Sequence, residues 1–321
     1  MLYRGVLVTP EGERYGHLVV EEMVFEESRV DKADFVITLT FFNAHTHLGD
    51  AALKEAPYVD LLSLVGPGGF KHRMLSERGV SELRTAVIAE VERSRGEGTS
   101  HFLDFREGGK AGVAVTSGID GVLTLTRPES VEEAESMDVY GFAYSSVRDH
   151  DAKLIEGVRE VARKKKMKFA IHAGEKDCDD VDAAIALEPD LIVHMNMCPE
   201  KIERIIDCEI PIASCLRSNA FFDLLNVKSY RILKDYELWL LGTDNAMIST
   251  ASMLDEMHFA SYILHDDAAV LRAATAGYSI FDIEPGYVVF SRDYSFKNTE
   301  NFTSTLVRRA SARDIVDVIL P

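Results

Sequence analysis

The sequence predicts an α/β protein whose main unit is a (β/α)8 barrel, or TIM barrel. Eight apolar runs of β-type composition follow one another through the middle of the 321-residue chain, and segments with helical periodicity separate several of them. Four of the eight runs end in histidine or aspartate, and the carboxyl ends of barrel strands are where function resides. A doubly wound parallel sheet is the competing fold, but it does not need so many runs.

The first barrel strand is predicted over residues 36–43, a run that leads into His45 and His47. Residues at i and i+2 of a strand point to the same face, so both imidazoles would reach the end of the strand together. Histidines two residues apart are also common on plain polar surfaces. The β-type run before this pair, and the Leu48-Gly49-Asp50 turn after it, favour the rim of an active site.

The remaining elements follow in the same rhythm. The other seven barrel strands are predicted at 100–105, 121–126, 139–145, 168–172, 190–194, 210–214 and 238–243. Helices are predicted at 80–95, 152–165, 181–187, 202–207 and 252–264. The basic run at 163–166 then reads as the solvated end of a helix, in preference to a binding patch.

Both termini read as strands outside the barrel. Residues 2–9 and 17–25 are joined by a polar turn, and residues 286–290 and 302–319 also alternate like strands. We therefore expect a small β domain from residues 1–34 and 285–321, beside a barrel of residues 35–284.

Composition excludes several classes of partner. The net charge is -18, with 53 acidic against 35 basic residues, which argues against nucleic acid because phosphate binding needs a basic face. No apolar run approaches the length of a membrane span, and the N-terminus carries no secretory signal pattern. The four cysteines, at 178, 198, 208 and 215, form no C-x-x-C pair and read as isolated thiols of a reduced, cytoplasmic protein.

The groups that end the barrel strands suit a metal site. His45, His47 and His172 offer three neutral nitrogens and Asp244 offers a carboxylate oxygen, a set that suits one divalent ion, Zn²⁺ before Fe²⁺ or Mn²⁺. Such an ion lowers the pKa of a bound water from about 16 toward about 7 and so supplies hydroxide. The alternative for Asp244 is a helix N-cap before residues 249–254.

Two further groups would move protons. Asp244 can take a proton from the water, and His194 can hold the water or stabilise developing charge. Glu175 lies three residues past His172 and overhangs the same pocket, where it can protonate a ring nitrogen or a leaving group. A loop carboxylate or an N-cap partner is the plainer interpretation of Glu175. His258 and His265 lie in a predicted helical stretch and only decorate it.

Loops at the rim would select the substrate. Residues 54–78 form a Gly/Pro-rich, partly basic stretch that reads as a lid. Arg106 and Arg148 follow barrel strands and can clamp a carboxylate or phosphate, since arginine binds such groups bidentately; Arg127 is a third candidate. A local ion pair is the alternative for each.

The combined motifs resemble the amidohydrolase superfamily across nearly the whole chain, and within it the branch of aminohydrolases and chlorohydrolases that includes cytosine, guanine and adenosine-type deaminases. The matching pieces are His45-Thr46-His47, His172-Ala173-Gly174-Glu175, His194, Cys215-Leu216-Arg217-Ser218-Asn219, Gly242-Thr243-Asp244, Ala274-Thr275-Ala276-Gly277 and Ile283-Glu284-Pro285-Gly286. The family form of the Cys-Pro-x-Ser-Asn motif has Pro where this chain has Leu216.

The resemblance implies a (β/α)8 barrel with a small β-sandwich built from both termini, and a role for each motif residue. His45, His47, His172 and Asp244 would bind one divalent metal, Glu175 would deliver a proton to the substrate ring, and His194 with Asp244 would handle the attacking water. Two-metal members carry a bridging carboxylated lysine at the end of the fourth strand, and residues 140–146 contain none. The zinc deaminases of a different fold, with His-x-Glu and Pro-Cys-x-x-Cys, do not match.

The leading hypothesis is therefore a metal-dependent aminohydrolase. Metal-bound hydroxide would attack an amino-bearing carbon of a purine, pyrimidine or related N-heterocycle and release ammonia. The alternative on the same site is a chlorohydrolase or a cyclic-amide or imidazolone hydrolase, and a barrel that has lost activity and only binds is a third reading. The expected partner is the small heterocycle, with no nucleic acid or membrane; a homo-oligomer is compatible with the sequence, which does not name the substrate.

Overall fold

The middle of the chain forms one parallel sheet whose strands alternate with helices, as the sequence predicts. The computed structural model describes residues 1–30 and 32–321. The strands of this sheet are β5 (Phe41–His47), β6 (Thr99–Arg106), β7 (Val122–Thr126), β8 (Gly141–Tyr144), β9 (Lys168–Ala173), β10 (Leu191–His194), β11 (Ile212–Ser214), β12 (Trp239–Leu241) and β13 (Asp244–Asn245). Their order is β12-β11-β10-β9-β8-β7-β6-β5-β13.

The sheet curls until its first and last segments meet. β12 pairs with β11, while β13 pairs with β5 through Asp244 opposite Thr46. The predicted strand at 238–243 is thus split in two, and the Thr243 N–H between the halves donates to the His45 carbonyl at 3.0 Å. The predicted barrel is confirmed as a curled parallel sheet with helices; a fully closed barrel stays a prediction.

A buried apolar cluster fills the inside of the curled sheet. Every strand from β5 to β12 contributes to it; examples are Phe42, Leu103, Leu125, Ala143, Ala170, Val193, Ala213 and Leu240. Tyr278 and Phe281 join this cluster from a helix near the end of the chain. The strands therefore share one dry interior, and this fixes which of their side chains face inward.

The terminal strands form a second, separate sheet. Its strands are β1 (Leu2–Thr9), β2 (Gly12–Val19), β3 (Val24–Glu27), β4 (Phe35–Leu39), β14 (Tyr287–Ser291) and β15 (Ile315–Ile319), in the order β15-β14-β4-β1-β2-β3. The described terminal strands thus form one six-stranded sheet, whereas the resemblance implies a β-sandwich. All neighbours in it are antiparallel except β1 and β4.

The apolar run at 36–43 proves to be two strands, which corrects the first barrel strand. β4 pairs in the terminal sheet and β5 in the curled sheet, because the chain changes partner at Thr40. The Thr40 N–H donates to the Gly286 carbonyl at 2.9 Å, whereas the Phe41 N–H donates to the Gly98 carbonyl at 2.8 Å. The limits 1–34, 35–284 and 285–321 stay predictions, and β4 pairs on the terminal side of that division.

The described helices include the five predicted ones, and their ends differ from the predictions by one residue at most. The α-helices are α1 (Leu61–Val65), α2 (Phe70–Ser76), α3 (Val80–Gly96), α4 (Gly109–Thr116), α5 (Val131–Ser136), α6 (Ala152–Lys165), α7 (Val181–Ala186), α8 (Ile202–Asp207), α9 (Leu216–Phe221), α10 (Val227–Leu233), α11 (Met253–Leu264), α12 (Asp267–Thr275), α13 (Gly277–Phe281) and α14 (Phe302–Arg309). None of the described helices has both the length and the apolar composition that crossing a membrane requires.

Two helices show how local sequence sets these boundaries. Asp151 caps α6 by accepting the Leu154 N–H at 3.0 Å, and three basic residues fill its last turn, where the helix dipole favours them. The strand-like interpretation of residues 302–319 is wrong over its first half. Asn301 accepts the Ser304 N–H at 2.8 Å and starts α14, so only β15 is extended there.

Cys178 and Cys198 form a disulfide, with their Cα atoms 5.4 Å apart. The prediction of four isolated thiols is therefore wrong for these two and holds for Cys208 and Cys215. The spacing in sequence hides the pair because it is the parallel pairing of β9 with β10 that lays the loops after them side by side. The bond thus ties two neighbouring loops together at the carboxyl edge of the sheet.

Breaking this disulfide should destabilise the fold. A loop of 20 residues loses enough unfolded-state entropy to account for about 3 kcal/mol of the free energy of unfolding. Cys198→Ser, or reduction of the native protein, should lower the denaturant midpoint accordingly, whereas Cys208→Ser should leave it unchanged. Equal midpoints for Cys198→Ser and the native protein would contradict a formed bond, as would four titratable thiols in the unreduced, denatured chain.

Candidate active site

Six side chains converge at the carboxyl edge of the curled sheet. They are His45 and His47 of β5, His172 of β9, Glu175 in the loop after it, His194 at the end of β10 and Asp244 at the start of β13. These are the residues that the sequence predicts as metal ligands and proton carriers. Because the strands are parallel and the sheet curls, residues that lie up to 199 positions apart meet here.

Four donor atoms point at one another within this group. His45 Nε2 lies 3.2 Å from Asp244 Oδ1 and 3.3 Å from His172 Nε2. His47 Nε2 lies 3.5 Å from the same Asp244 oxygen. The four side chains are buried or nearly so. His45 is thus common to two groups that could hold a metal ion, one with His47 and Asp244 and one with His172 and His194.

These residues fit a divalent cation. Two nitrogens bound at ~2.0–2.1 Å to one tetrahedral zinc lie about 3.4 Å apart, close to the separation of His45 and His172. The Nδ1 of His172 lies 3.0 Å from the Tyr144 carbonyl, which assigns the ring proton to Nδ1 and leaves Nε2 with its lone pair facing His45. The lone pair of His172 Nε2 is therefore free to bind a cation.

Burial keeps the histidines neutral, as metal ligands must be. Burial, followed by the charge of Lys71, holds the pKa of His47 well below its usual range. Burial and the neighbouring imidazoles do the same to the pKa of His172, and burial lowers the pKa of His194 to about 4. Burial opposes ionisation of Asp244, but the hydrogen bond with His45 outweighs it and holds the pKa of that carboxyl well below normal.

Glu175 is set apart from the other acid. Burial, followed by the charges of Asp244 and Asp180, raises the pKa of Glu175 well above its usual range. Its Oε1 lies 3.5 Å from His194 Nε2. The surroundings therefore shift the pKa values of the two acids in opposite directions, favouring the ionised form of Asp244 and the protonated form of Glu175. Two acids whose pKa values are shifted in opposite directions are typical of a site in which one acid donates a proton and the other accepts one.

Two residues of the motif after β11 hold Asp244 and His194 in place. Ser218 donates a short hydrogen bond to Asp244 Oδ2, and Asn219 Nδ2 lies 3.5 Å from His194 Nδ1. Asn219 is held in turn by the Tyr230 hydroxyl, 2.9 Å from its Oδ1. The sequence analysis used Ser218 and Asn219 only as motif letters, and the structure shows what they touch. Leu216, where the family form has Pro, begins α9 and leaves this arrangement intact.

The main chain at two of these residues is left-handed. Asp244 has φ of 60° and His194 has φ of 82°, a region that non-glycine residues rarely adopt. Each such residue costs on the order of 1–3 kcal/mol and persists only where surrounding contacts enforce it. Both lie where a strand ends at the candidate metal site, so the strain is used to aim these two side chains inward.

A buried charge network lies behind His47, and sequence patterns do not reveal it. Lys71 Nζ, from α2, lies 2.8 Å from Asp50 Oδ2, 2.7 Å from Glu107 Oε1 and 3.4 Å from His47 Nδ1. Arg106 Nη2 lies 2.9 Å from Glu107 Oε2 and 3.5 Å from Asp50. The sequence analysis missed Lys71, Glu107 and Asp50; only the position of Glu107 after a barrel strand hinted at a role.

A cavity of about 530 Å³ opens over the histidine cluster. His47, His172, His194, Glu175 and Asp244 line its inner end. The predicted lid at 54–78 contains α1 and α2. Leu61, Leu62 and Val65 of α1 give the cavity an apolar wall, whereas α2 lines it with Lys71 and His72. The volume suits a small-molecule ligand.

The two arginines predicted to clamp the substrate differ in position. Arg106 lines the cavity, but its guanidinium is buried against Glu107 and Asp50, which corresponds to the ion-pair alternative. The structure does not bring Arg148 to the cavity, because its exposed side chain pairs with Asp177 at 3.0 Å. His258 and His265 lie on and just after α11, away from the cluster, as predicted.

Comparison with known proteins places this site in a family. No family model matched the chain. A protein of Archaeoglobus fulgidus, provisionally named an aminohydrolase, is 66% identical over 319 residues, 99% of this chain and 97% of the relative. The guanine deaminase of C. acetobutylicum with bound guanine superposes with a TM-score of 0.80 at 14% identity, covering 99% of this chain and 98% of that one.

A second solved structure extends the comparison to another reaction. The atrazine chlorohydrolase of Arthrobacter aurescens TC1, complexed with zinc, superposes with a TM-score of 0.79 at 12% identity, covering 99% of this chain and 93% of that one. Such low identities show a shared fold, whereas the archaeal relative shows the family. The chain belongs to the amidohydrolase superfamily, in the branch of aminohydrolases and chlorohydrolases, and it is a hydrolase of the class that acts on carbon–nitrogen bonds other than peptide bonds.

Proposed function

We propose that this hydrolase is a single-metal deaminase of an amino-bearing purine, pyrimidine or related N-heterocycle. Water adds to the ring carbon that bears the amino group, the carbon–nitrogen bond breaks, and ammonia leaves. The observation that supports this most directly is Glu175, a partly buried acid that lines the cavity 3.5 Å from His194 and whose surroundings favour its protonated form. Addition of water to the amino-bearing carbon is aided by a proton on the neighbouring ring nitrogen, and Glu175 is the acid placed to supply it.

The proposed metal ligands are His45, His47, His172 and Asp244. A divalent metal, most simply Zn²⁺, held by these four would lower the pKa of a water molecule that it binds. Asp244 stays ionised beside that position and accepts the proton that the attacking water releases, while Ser218 holds its other oxygen. His194, neutral and fixed by Asn219, orients the water and stabilises charge as it develops.

Glu175 then acts on the substrate side of the cavity. It donates its proton to a ring nitrogen as the water adds. The proton that Asp244 has accepted then goes to the amine, which departs as ammonia, and the hydroxyl proton of the adduct returns to Glu175 as the carbonyl forms. The main chain of Glu175 is anchored because its carbonyl accepts the Asn196 side chain at 2.9 Å. The acid is therefore held in place at the cavity, as general acid catalysis requires.

A single metal is favoured by the lysines near the site. β8 contributes no lysine that could bridge two ions, and Lys153 lies exposed on α6. Lys71 is close to His47, but it is paired with Asp50 and Glu107. The curled sheet would then be the closed (β/α)8 barrel of the superfamily, in a cytoplasmic enzyme whose partner is its small heterocyclic substrate.

Hydrolysis of a carbon–chlorine bond, a cyclic amide or an imidazolone on the same site is the second candidate. The likeness to a zinc-bound chlorohydrolase supports it. Protonation of a ring nitrogen by Glu175 would assist the loss of chloride as well as the loss of ammonia. Chloride leaves without a proton, however, so only deamination uses the proton that Asp244 accepts.

Metal analysis tests the ligand set. The purified protein should contain close to one Zn, Fe or Mn per chain, since the four donors surround a single position. Chelation should abolish hydrolysis and readdition of Zn²⁺ should restore it, while His45→Ala should lose both the metal and the activity. Two ions per chain, or full activity of the chelated protein, would contradict the single-metal proposal.

Replacing Glu175 tests the assignment of the acid. Glu175→Gln keeps the size of the side chain but removes the proton, so ammonia release should fall by about 10²–10⁴-fold. Metal content should stay unchanged, since Glu175 is not among the proposed ligands. Glu203→Gln, an exposed residue of α8, is the matched control and should behave like the native enzyme.

The substrate panel for both experiments should cover aminopurines, aminopyrimidines, nucleosides, chlorinated heterocycles and lactams. Ammonia release from any amino-heterocycle, lost in Glu175→Gln, supports the deaminase. Hydrolysis confined to chlorinated or lactam substrates would reject it in favour of the second candidate.

A further inference from the structure

Arg127 occupies a fixed position at the wall of the cavity. It follows β7 directly, and its N–H donates to the Arg106 carbonyl at 3.0 Å. The next residue, Pro128, accepts the Tyr144 hydroxyl at 2.9 Å through its carbonyl. The main chain is therefore held on both sides of Arg127, and only its side chain is free to meet a ligand.

The guanidinium of Arg127 has no partner among residues 1–30 and 32–321. All the other buried or half-buried arginines of this part of the chain donate to a carboxylate or a carbonyl, whereas Arg127 has neither an ion pair nor a side-chain hydrogen bond. The chain carries 53 acidic residues against 35 basic ones, so carboxylates are plentiful. An arginine that stays unpaired in a cavity under these conditions is available for an anion from outside.

Two histidines stand beside Arg127 at the same part of the cavity. His72 comes from α2 and His150 from the loop after β8, so three separate loops supply basic groups there. His150 is oriented by Ser145, whose hydroxyl lies 3.1 Å from its Nε2, and by the edge of the Tyr144 ring. Burial, followed by the Arg127 charge, lowers the pKa of His150, as expected for close neighbours.

None of the described carboxylates that line the cavity forms an ion pair with Arg127. Glu107 is paired with Lys71 at 2.7 Å and with Arg106 at 2.9 Å. Asp149 accepts the Ser145 hydroxyl at 2.9 Å, and Glu129 is exposed to solvent. The Arg127 guanidinium is therefore left without a direct carboxylate partner in this part of the chain.

One residue connects this basic group to the candidate metal site. The Tyr144 carbonyl accepts from His172, a proposed metal ligand, while the Tyr144 hydroxyl donates to Pro128 beside Arg127. Arg127 and the histidine cluster therefore line one cavity and are joined through the contacts of a single residue.

We infer that the substrate is an amino-heterocycle bearing an anionic substituent, a carboxylate or a phosphate monoester, and that Arg127 binds this group with His72 and His150 beside it. The inference rests on the proposed function, because it assumes that the amino-bearing carbon lies at the histidine cluster. Arg127 is then a specificity-determining residue. Its positive charge attracts an anionic substrate that the negative net charge of the protein would otherwise repel.

Anion binding tests this site without any reaction. Inorganic phosphate and acetate are titrated into the metal-loaded native protein, Arg127→Ala and Arg231→Ala at constant ionic strength, with binding followed by calorimetry. Arg231 is an exposed, unpaired arginine of α10 and serves as the matched control. Arg127→Ala should weaken binding of the preferred anion by about 10–100-fold, as expected for a charge-assisted contact, and Arg231→Ala should leave it unchanged. Equal affinity in the native protein and Arg127→Ala would overturn the inference.

Ammonia release from matched pairs then identifies the substituent. Adenosine is compared with adenosine 5′-monophosphate, cytidine with cytidine 5′-monophosphate, and pterin with its 6-carboxylate. The anionic member of a pair should have the higher kcat/KM by at least tenfold, and Arg127→Ala should remove this preference mainly through KM.

The outcomes separate the two proposals. Ammonia release with no preference for charge, and no change in Arg127→Ala, overturns the anion site but leaves the deaminase intact. Arg127-dependent anion binding without ammonia release from any substrate supports the anion site and counts against the deaminase. A preference for phosphate over carboxylate, or the reverse, names the substituent.

Discussion

The candidate site depends on how closely the first and last segments of the curled sheet approach each other. A Cβ atom at Gly242 would lie 2.7 Å from the His45 nitrogen, so only glycine permits this approach. Asn43 then joins the two segments with two bonds to Thr243, through its Nδ2 at 2.7 Å and its Oδ1 at 3.1 Å. These contacts set the left-handed turn that directs Asp244 toward His45. Without them the carboxylate and the imidazoles would not share one space.

The charged residues around the site also depend on one another. His47 remains neutral partly because Lys71 stands behind it, and Lys71 can be buried because Asp50 and Glu107 neutralise it. Arg106 belongs to the same network, so its guanidinium is not available to bind a ligand. The network supports His47, a proposed metal ligand. Arg127 lies outside the network and is the cavity-lining arginine that has no ion pair among the described residues.

The sequence predicted the chemistry of the site better than its boundaries. The ends of these strands can be predicted because a histidine or an aspartate interrupts each apolar run. For this reason the sequence alone identifies all six converging residues. The split of residues 36–43 between two sheets could not be read, since both halves are equally apolar and only the change of partner at Thr40 divides them. Helix α14 was taken for strand because its cap, Asn301, lies just before the apolar pattern begins.

Contacts between distant segments were the least predictable part. Asp50 lies just after β5, Lys71 on α2 and Glu107 just after β6, and no spacing in the chain relates them. Cys178 and Cys198 are likewise paired by the neighbouring strands before them. The arginines show the same limit: sequence position suggested Arg106 and Arg148 equally with Arg127, and only the carboxylates around each one distinguish them.

The disulfide gives the cavity one immobile side. Cys178 lies three residues after Glu175 and Cys198 four residues after His194, so the loops of the acid and of its imidazole neighbour are fastened to each other close to the chemistry. Across the sheet, four strands away, α2 is held instead by the ion pairs of Lys71 with Asp50 and Glu107. The two sides of the cavity therefore respond to different conditions. Reduction loosens the side that carries Glu175 and His194, whereas loss of charge on Lys71 or its partners loosens the side formed by α2.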